Sequence, residues 1–163
     1  MERQETIRYR RAQDADLDAM FELWWEMQAA HVAYDPIWYG LRPKPECKPL
    51  CLERFRKQMS SPDDIILLAV AGESPVGMII GHITERPPVL HQLKFLVIEN
   101  AVVTEAHRKK GILRQLMALI AKEATSRGVK LIKLIVHSAN PARQAYERLG
   151  FTCHELSMGK YIE

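Results

Sequence analysis

The chain has 163 residues, of which 47% are hydrophobic and 26% are charged, and its formal net charge is +3. This length and composition predict one globular domain spanning residues 1–163. The small net charge argues against general nucleic-acid binding, and no apolar run is long enough to span a membrane. A charged amino terminus without an apolar segment, together with only three cysteines, predicts a cytoplasmic protein without a disulfide framework.

Hydrophobic patterning predicts strands and helices that alternate along the chain. The predicted strands are residues 6–10, 64–71, 76–84, 95–103, 129–137 and 151–162. The predicted helices run from Asp14 or Asp16 to about Val32, from about Lys48 to Met59, from Leu113 to Arg127 and from Pro141 to Leu149. Three successive strands followed by alternation with helices predict an α/β (α+β) fold with a mixed sheet.

Two polar residues interrupt the strand at 95–103, which is otherwise apolar and rich in branched side chains. This composition predicts a strand that is buried on both faces. Glu99 is then a candidate general base, because a carboxylate in an apolar strand is costly unless it is paired, hydrated or functional. The alternative is a glutamate at a strand edge, or one paired with a lysine or arginine. Asn100 points to the opposite face by strand alternation and is predicted to be structural.

A basic turn with one glycine, Arg108-Lys109-Lys110-Gly111, lies between this strand and the next helix. The first amides of a helix have no internal partner, and the helix dipole adds positive potential there. Gly111 allows an anion to approach the backbone closely, and Arg114 adds charge. The turn is therefore predicted to bind a phosphate or diphosphate, the alternative being a solvated helix start. Neither Gly-x-Gly-x-x-Gly nor Gly-x4-Gly-Lys-Ser/Thr occurs, which argues against a Rossmann or P-loop protein.

Two segments together resemble motifs of the GNAT acyltransferases. Arg108 to Leu113 is similar to their pyrophosphate-binding signature, Gln/Arg-x-x-Gly-x-Gly/Ala, except that Leu113 stands where the family has glycine or alanine. Asn140 to Phe151 resembles the later segment that ends in Tyr-Glu-x-Leu-Gly-Phe. The chain thus resembles a GNAT superfamily N-acetyltransferase. The resemblance implies a mixed, partly antiparallel central sheet of six to seven strands, flanked by about four helices and splayed between the fourth and fifth strands.

The resemblance also implies that acetyl-CoA is the acyl donor. The residues implied to bind it are Ala101, Val102, Val103, Arg108, Lys109, Lys110, Gly111, Ile112, Leu113, Arg114 and Asn140. Tyr146 takes the place of the family's tyrosine that faces the CoA sulfur, which makes it a candidate general acid; the alternative is a core tyrosine. Asn140 lies six residues before Tyr146, where many members have a separation of seven, and a helix-cap role is its alternative.

In the family, the loop between the first two helices lines the acceptor pocket. The residues implied to bind the acceptor here are Tyr34, Asp35 and Trp38, with the carboxylate holding a cationic amine and the rings packing on its carbon skeleton. A loop pinned by its own aromatic residues is the alternative. Cys47 and Cys51 have the wrong spacing for a zinc knuckle, and no metal is predicted.

The predicted function is transfer of an acetyl group from acetyl-CoA to a primary amine of a small molecule or peptide, by direct attack in a ternary complex. Such a reaction needs a base for the amine, a polarised thioester carbonyl and a proton donor for the leaving thiolate. The alternative is a non-catalytic acyl-CoA-binding sensor or partner module on the same fold. The prediction includes no nucleic-acid or membrane partner, and it leaves a homodimer open.

Overall fold

The computed structural model describes residues 6–162; the predicted domain 1–163 also includes residues 1–5 and 163, which lie outside the described residues. The strands are β1 Ile7–Arg11, β2 Asp64–Ala71, β3 Ser74–Glu85, β4 Lys94–Val103 and β5 Leu131–Leu134. The α-helices are α1 Leu17–His31, α2 Lys44–Ser60, α3 Ile112–Ser126 and α4 Ala142–Arg148. Among the described residues, no helix is long and apolar enough to cross a membrane.

The strands form one mixed sheet in the order β1-β2-β3-β4-β5. The first three pairings are antiparallel, and β4 and β5 run parallel because α3 connects them. The parallel pairing extends from Phe95 and Leu131 to Ile98 and Leu134. β4 continues to Val103, so its backbone after Ile98 has an edge that β5 does not cover. The predicted mixed sheet is confirmed, and the pairing of β4 with β5 stops where β5 itself ends, at Leu134.

The number of strands is a correction to the prediction of six to seven, because residues 6–162 form a five-stranded sheet. The strand predicted at 129–137 contains only Leu131–Leu134. The tail, residues 151–162, has no strand. It has no buried face to hold it in a ladder, since its large apolar side chains are exposed at Leu156, Met158 and Ile162.

Helix α2 begins at Lys44, before the predicted start at about Lys48. Pro43 is its N-cap residue and Pro45 lies in the first turn, where the missing amide hydrogen costs no helical hydrogen bond. Pro43 and Pro45 therefore stand at the start of the helix rather than in the loop before it.

Helices cover both faces of the sheet, with α3 on one side and α1 and α2 on the other. β2 is buried throughout, and its alternate residues contribute to the two cores, as Leu67 and Leu68 show. β4 is different, because its burial alternates and Glu99 is exposed. The prediction that this strand is buried on both faces is therefore wrong. The physical reason is uneven covering of the two faces, since Leu96 and Ile98 pack in the core on the α3 side, whereas Phe95 and Val97 on the other face are only half-buried.

Candidate active site

A β-bulge in β4 determines where Glu99 points. Gly81 of β3 pairs with Ile98, and Ile80 pairs with Asn100, so Glu99 has no residue opposite it. Such an extra residue interrupts the alternation of side chains and redirects them. Since the pairing with β5 also ends at Ile98, the bulge lies where the uncovered edge of β4 begins.

Glu99 is held by two side chains from α2. Arg54 Nη2 donates to its Oε2 at 2.8 Å, and Gln58 Nε2 donates to the same oxygen at 2.7 Å. The Glu99 side chain is 28% exposed, so it is partly hydrated as well as paired. The ion-paired glutamate named as the alternative from sequence is therefore present. Both donors bind the same oxygen, Oε2. The other carboxylate oxygen, Oε1, has no hydrogen-bond partner within residues 6–162.

Asn100 and Gln58 are polar residues near the bulge that the sequence did not identify as functional. Val102 packs in the core on the α1–α2 side, and Asn100, two residues earlier, shares that face. The bulge thus places Glu99 and Asn100 on the same side, which corrects the predicted opposite facing. Asn100 is 6% exposed, and its carboxamide has no hydrogen bond with the described residues. Gln58 lies 41 residues before Glu99, and no local sequence signal connects the two.

The turn before α3 has the backbone shape of an anion site. Lys109 has a φ of +62° and Gly111 a φ of +78°, both in the left-handed region. A Cβ at Gly111 would meet nothing within 4 Å, so open space lies next to this backbone. The first helical hydrogen bond runs from Gln115 N to Gly111 O, and no acidic residue lies in the first turn of α3. The amides before Gln115 are therefore available to an anion.

The first two side chains of α3 pack towards the core. Ile112 is 2% exposed, and Leu113 packs against the core on the α3 side. The Leu113 side chain therefore does not fill the space beside the turn. This explains how a leucine fits at a position where the GNAT signature has glycine or alanine. Just upstream, Ala101 and Val103 pack against the same core, while their backbone follows the edge that β5 leaves uncovered.

The basic residues of the turn differ in their partners. Arg108 donates from Nε to the carbonyl oxygen of Val103 at 3.0 Å and from Nη2 to Glu26 of α1 at 3.2 Å. It thereby fixes the turn to the end of β4. The remaining cations of the cluster are exposed and form no ion pair with residues 6–162: Lys109, Lys110 and Arg114.

Tyr146 on α4 combines a buried ring with an unpartnered hydroxyl. The residue is 9% exposed and packs edge to face with Phe151, with ring centroids 5.9 Å apart. Its hydroxyl makes no hydrogen bond with the described residues. Burial raises the pKa of this phenol, so it keeps its proton at neutral pH. The ring fulfils the core role named from sequence, and the hydroxyl remains available as a proton donor.

Asn140 lies just before α4, whose N-cap residue is Pro141. Its Oδ1 accepts a hydrogen bond from Ala142 N at 2.9 Å, and its carbonyl oxygen accepts one from Arg143 N at 3.0 Å. The Asn140 side chain therefore accepts from the first amide of α4, but from the residue before the N-cap position. The amide NH₂ of Asn140 still has no partner among the described residues.

The α1–α2 loop contacts the tail and the segment that follows β5. Asp35 accepts hydrogen bonds from the backbone of Trp38 and Ile37 and from the Tyr161 hydroxyl, and these bonds, that from Trp38 first, lower the pKa of its carboxyl. Tyr34 stacks on His137 with ring centroids 5.4 Å apart. The hydrogen bonds of Asp35 and the stacking of Tyr34 therefore hold the loop in place, which agrees with the alternative of a pinned loop. Trp38 itself is 75% exposed.

His31 gives the loop contacts a pH dependence. Its ring lies against Tyr34 and Tyr39, and its Nδ1 is buried without a partner. Burial, followed by the charge of His137, lowers the pKa of this ring.

The lowered pKa of His31 predicts that stability depends on pH. Because the unfolded chain protonates His31 at a higher pH than the folded protein does, the free energy of unfolding should fall as pH drops through about 6.5. We expect His31→Phe to reduce this fall in urea unfolding at pH 7.5 and 5.5. The exposed His91→Phe is the control, and equal falls in both variants would contradict the assignment.

Together, these features define a class of protein. A bulged strand carries a carboxylate, continues beyond its pairing with a parallel neighbour and is followed by a glycine turn with free helix amides, an arrangement suited to an acyltransferase that binds a nucleotide thioester. The chain belongs to the acetyltransferase (GNAT) family, whose model matches residues 17–151. Within residues 6–162, no group of three or more His, Cys, Asp or Glu side chains could hold a metal ion.

Solved structures share the fold at low sequence identity. A mutant of the BH1408 protein from Bacillus halodurans is 23% identical with a TM-score of 0.86, covering 96% of this chain and 99% of that one. A predicted acetyltransferase with acetyl-CoA from Clostridium acetobutylicum is 15% identical with a TM-score of 0.77, covering 96% of each chain. Glucosamine-6-phosphate N-acetyltransferase from Arabidopsis thaliana is 17% identical with a TM-score of 0.73, covering 98% and 100%. The search of curated proteins gave no match.

Proposed function

We propose that the protein transfers an acetyl group from acetyl-CoA to a primary amine of a small molecule or peptide, by direct attack in a ternary complex. The observation that carries the proposal is the course of β4, which presents Glu99 at its bulge and ends at Val103, a short connection before the turn at Gly111. The base and the anion site therefore belong to one continuous segment. Similarity to a structure with acetyl-CoA and to an amino-sugar acetyltransferase supports the choice of donor and acceptor class.

The residues present fit a CoA thioester. The open space at Gly111 and the free amides of α3 suit the diphosphate. The exposed cations that form no ion pair within residues 6–162 can bind phosphate groups: Lys109, Lys110 and Arg114. The uncovered edge at 101–103 offers backbone groups to the amides of the pantetheine arm, as an added strand would pair. Acetyl-CoA would supply the activated acyl group.

Two side chains would move the protons. Glu99 Oε1, which has no partner within residues 6–162, takes a proton from the amine directly or through a water, and Oε2 stays bound to Arg54 and Gln58. The Tyr146 hydroxyl gives a proton to the departing thiolate. Because Asp35 is occupied by its loop contacts, the acceptor would meet chiefly the rings of Tyr34 and Trp38.

A non-catalytic acyl-CoA sensor is the second candidate, and the ion pair between Arg54 and Glu99 favours it because it ties up one carboxylate oxygen. Calorimetric titration with acetyl-CoA, CoA and ATP tests the donor site that both candidates share. Both CoA forms should bind clearly more tightly than ATP. Equal binding of ATP would remove the CoA assignment, and turnover of an amine then separates enzyme from sensor.

Tyr146→Phe is expected to lower kcat by roughly 100-fold or more while leaving the Kd of acetyl-CoA unchanged, because a positioned proton donor contributes at least about this much. The variant should keep its thermal stability, since the ring contact with Phe151 remains and the lost hydroxyl has no partner within residues 6–162. Initial rates and melting curves give both quantities. An unchanged kcat would show that another group protonates the thiolate.

A further inference from the structure

Gln58 holds Glu99 at the expense of its own hydrogen bonding. Its Nε2 donates to Glu99 Oε2 at 2.7 Å, which fixes the orientation of the carboxamide. The other end, Oε1, is buried and has no partner. If the Gln58 amide were flipped, its oxygen would face the Glu99 carboxylate and repel it. Gln58 therefore cannot both donate to Glu99 and expose its Oε1 to a hydrogen-bond donor. A buried acceptor without a partner destabilises a fold, and such groups in native proteins call for a specific explanation.

We infer that Gln58 is a positioning residue for the proposed base, an inference that rests on the proposed function. Its bond and that of Arg54 both engage Oε2 of Glu99. They leave Oε1 as the oxygen that takes the proton and hold it in one orientation. Gln58 suits this task better than Arg54, because Gln58 is only 9% exposed, whereas the arginine side chain is 55% exposed. The unsatisfied oxygen is then a stability cost retained for activity.

Gln58→Met separates this role from a structural one, because methionine fills a similar volume without a buried polar atom. We expect kcat to fall about tenfold, the Kd of acetyl-CoA to stay the same and the thermal midpoint to stay equal or rise. Gln92→Met, at an exposed position, is the matched control and should change none of these. A lower kcat accompanied by a lower thermal midpoint would make Gln58 merely structural and overturn the inference.

A double-mutant cycle with Glu99→Gln tests the coupling between the two residues. If Gln58 acts through the carboxylate, Gln58→Met should cause no further loss of kcat in the Glu99→Gln background. The same tenfold loss in both backgrounds would overturn the inference and leave the proposed function intact. A Glu99→Gln variant with the parent's kcat would instead remove the base, and the inference would fall with it.

Discussion

Gly111→Asp is expected to weaken acetyl-CoA binding by at least about 100-fold, because it adds a negative charge and a strained backbone to the anion site. The φ of +78° at Gly111 is one that residues other than glycine rarely adopt, and the free helix amides face the space where the carboxylate would lie. Calorimetric titration of parent and variant measures the change. We expect the α3 fold to persist, since a Cβ at this position has no neighbour within 4 Å.

Gly72→Asp is a matched control for the strain in Gly111→Asp. Gly72 has a φ of +59° and open space around its Cα, but it lies in the connection between β2 and β3. The Gly72→Asp variant should lose thermal stability, as Gly111→Asp does, because both place a non-glycine residue at a positive φ. It should keep the parent's affinity for acetyl-CoA. Equal losses of affinity in the two variants would indicate a general effect of strain and remove the anion site from this turn.

Glu99→Gln is expected to lower kcat by roughly 100- to 1,000-fold with little change in the Kd of acetyl-CoA, because a general base contributes within this range. Glutamine keeps an oxygen that accepts from Arg54 and Gln58, so the geometry around the bulge should persist. Initial-rate kinetics with a saturating amine provide kcat. Glu53→Gln, an exposed carboxylate on α2 paired with Lys57, is the control. A Glu99→Gln variant as fast as that control would show that Glu99 is not the base.

Local patterns were sufficient to predict the elements on which the site is built. The run of residues 64–71 was predicted as a strand with the bounds that β2 has, and the helical stripe after Gly111 corresponds to α3. These segments carry strong periodicity and clear breaks, so their identity depends little on the rest of the fold. The same applies to the turn, because a glycine before a helix start is a local signal.

The surroundings of Glu99 could not be predicted, because they depend on tertiary contacts. The bulge arises from how β3 and β4 pair, and strand alternation alone placed Glu99 and Asn100 on opposite faces. The partners Arg54 and Gln58 come from α2, far away in the chain. The tail was predicted as a strand from its composition, although the structure gives residues 151–162 no neighbouring strand to pair with.

The most direct test of the proposed acetyl transfer is the release of CoA from acetyl-CoA by the parent protein in the presence of a panel of primary amines. The panel should include amino sugars, small aliphatic amines and short peptides, with the products identified by mass spectrometry. We expect amine-dependent release of CoA and a mass increase of one acetyl group on at least one amine. Tight binding of acetyl-CoA without acetylation of any amine would contradict an enzyme and favour the sensor.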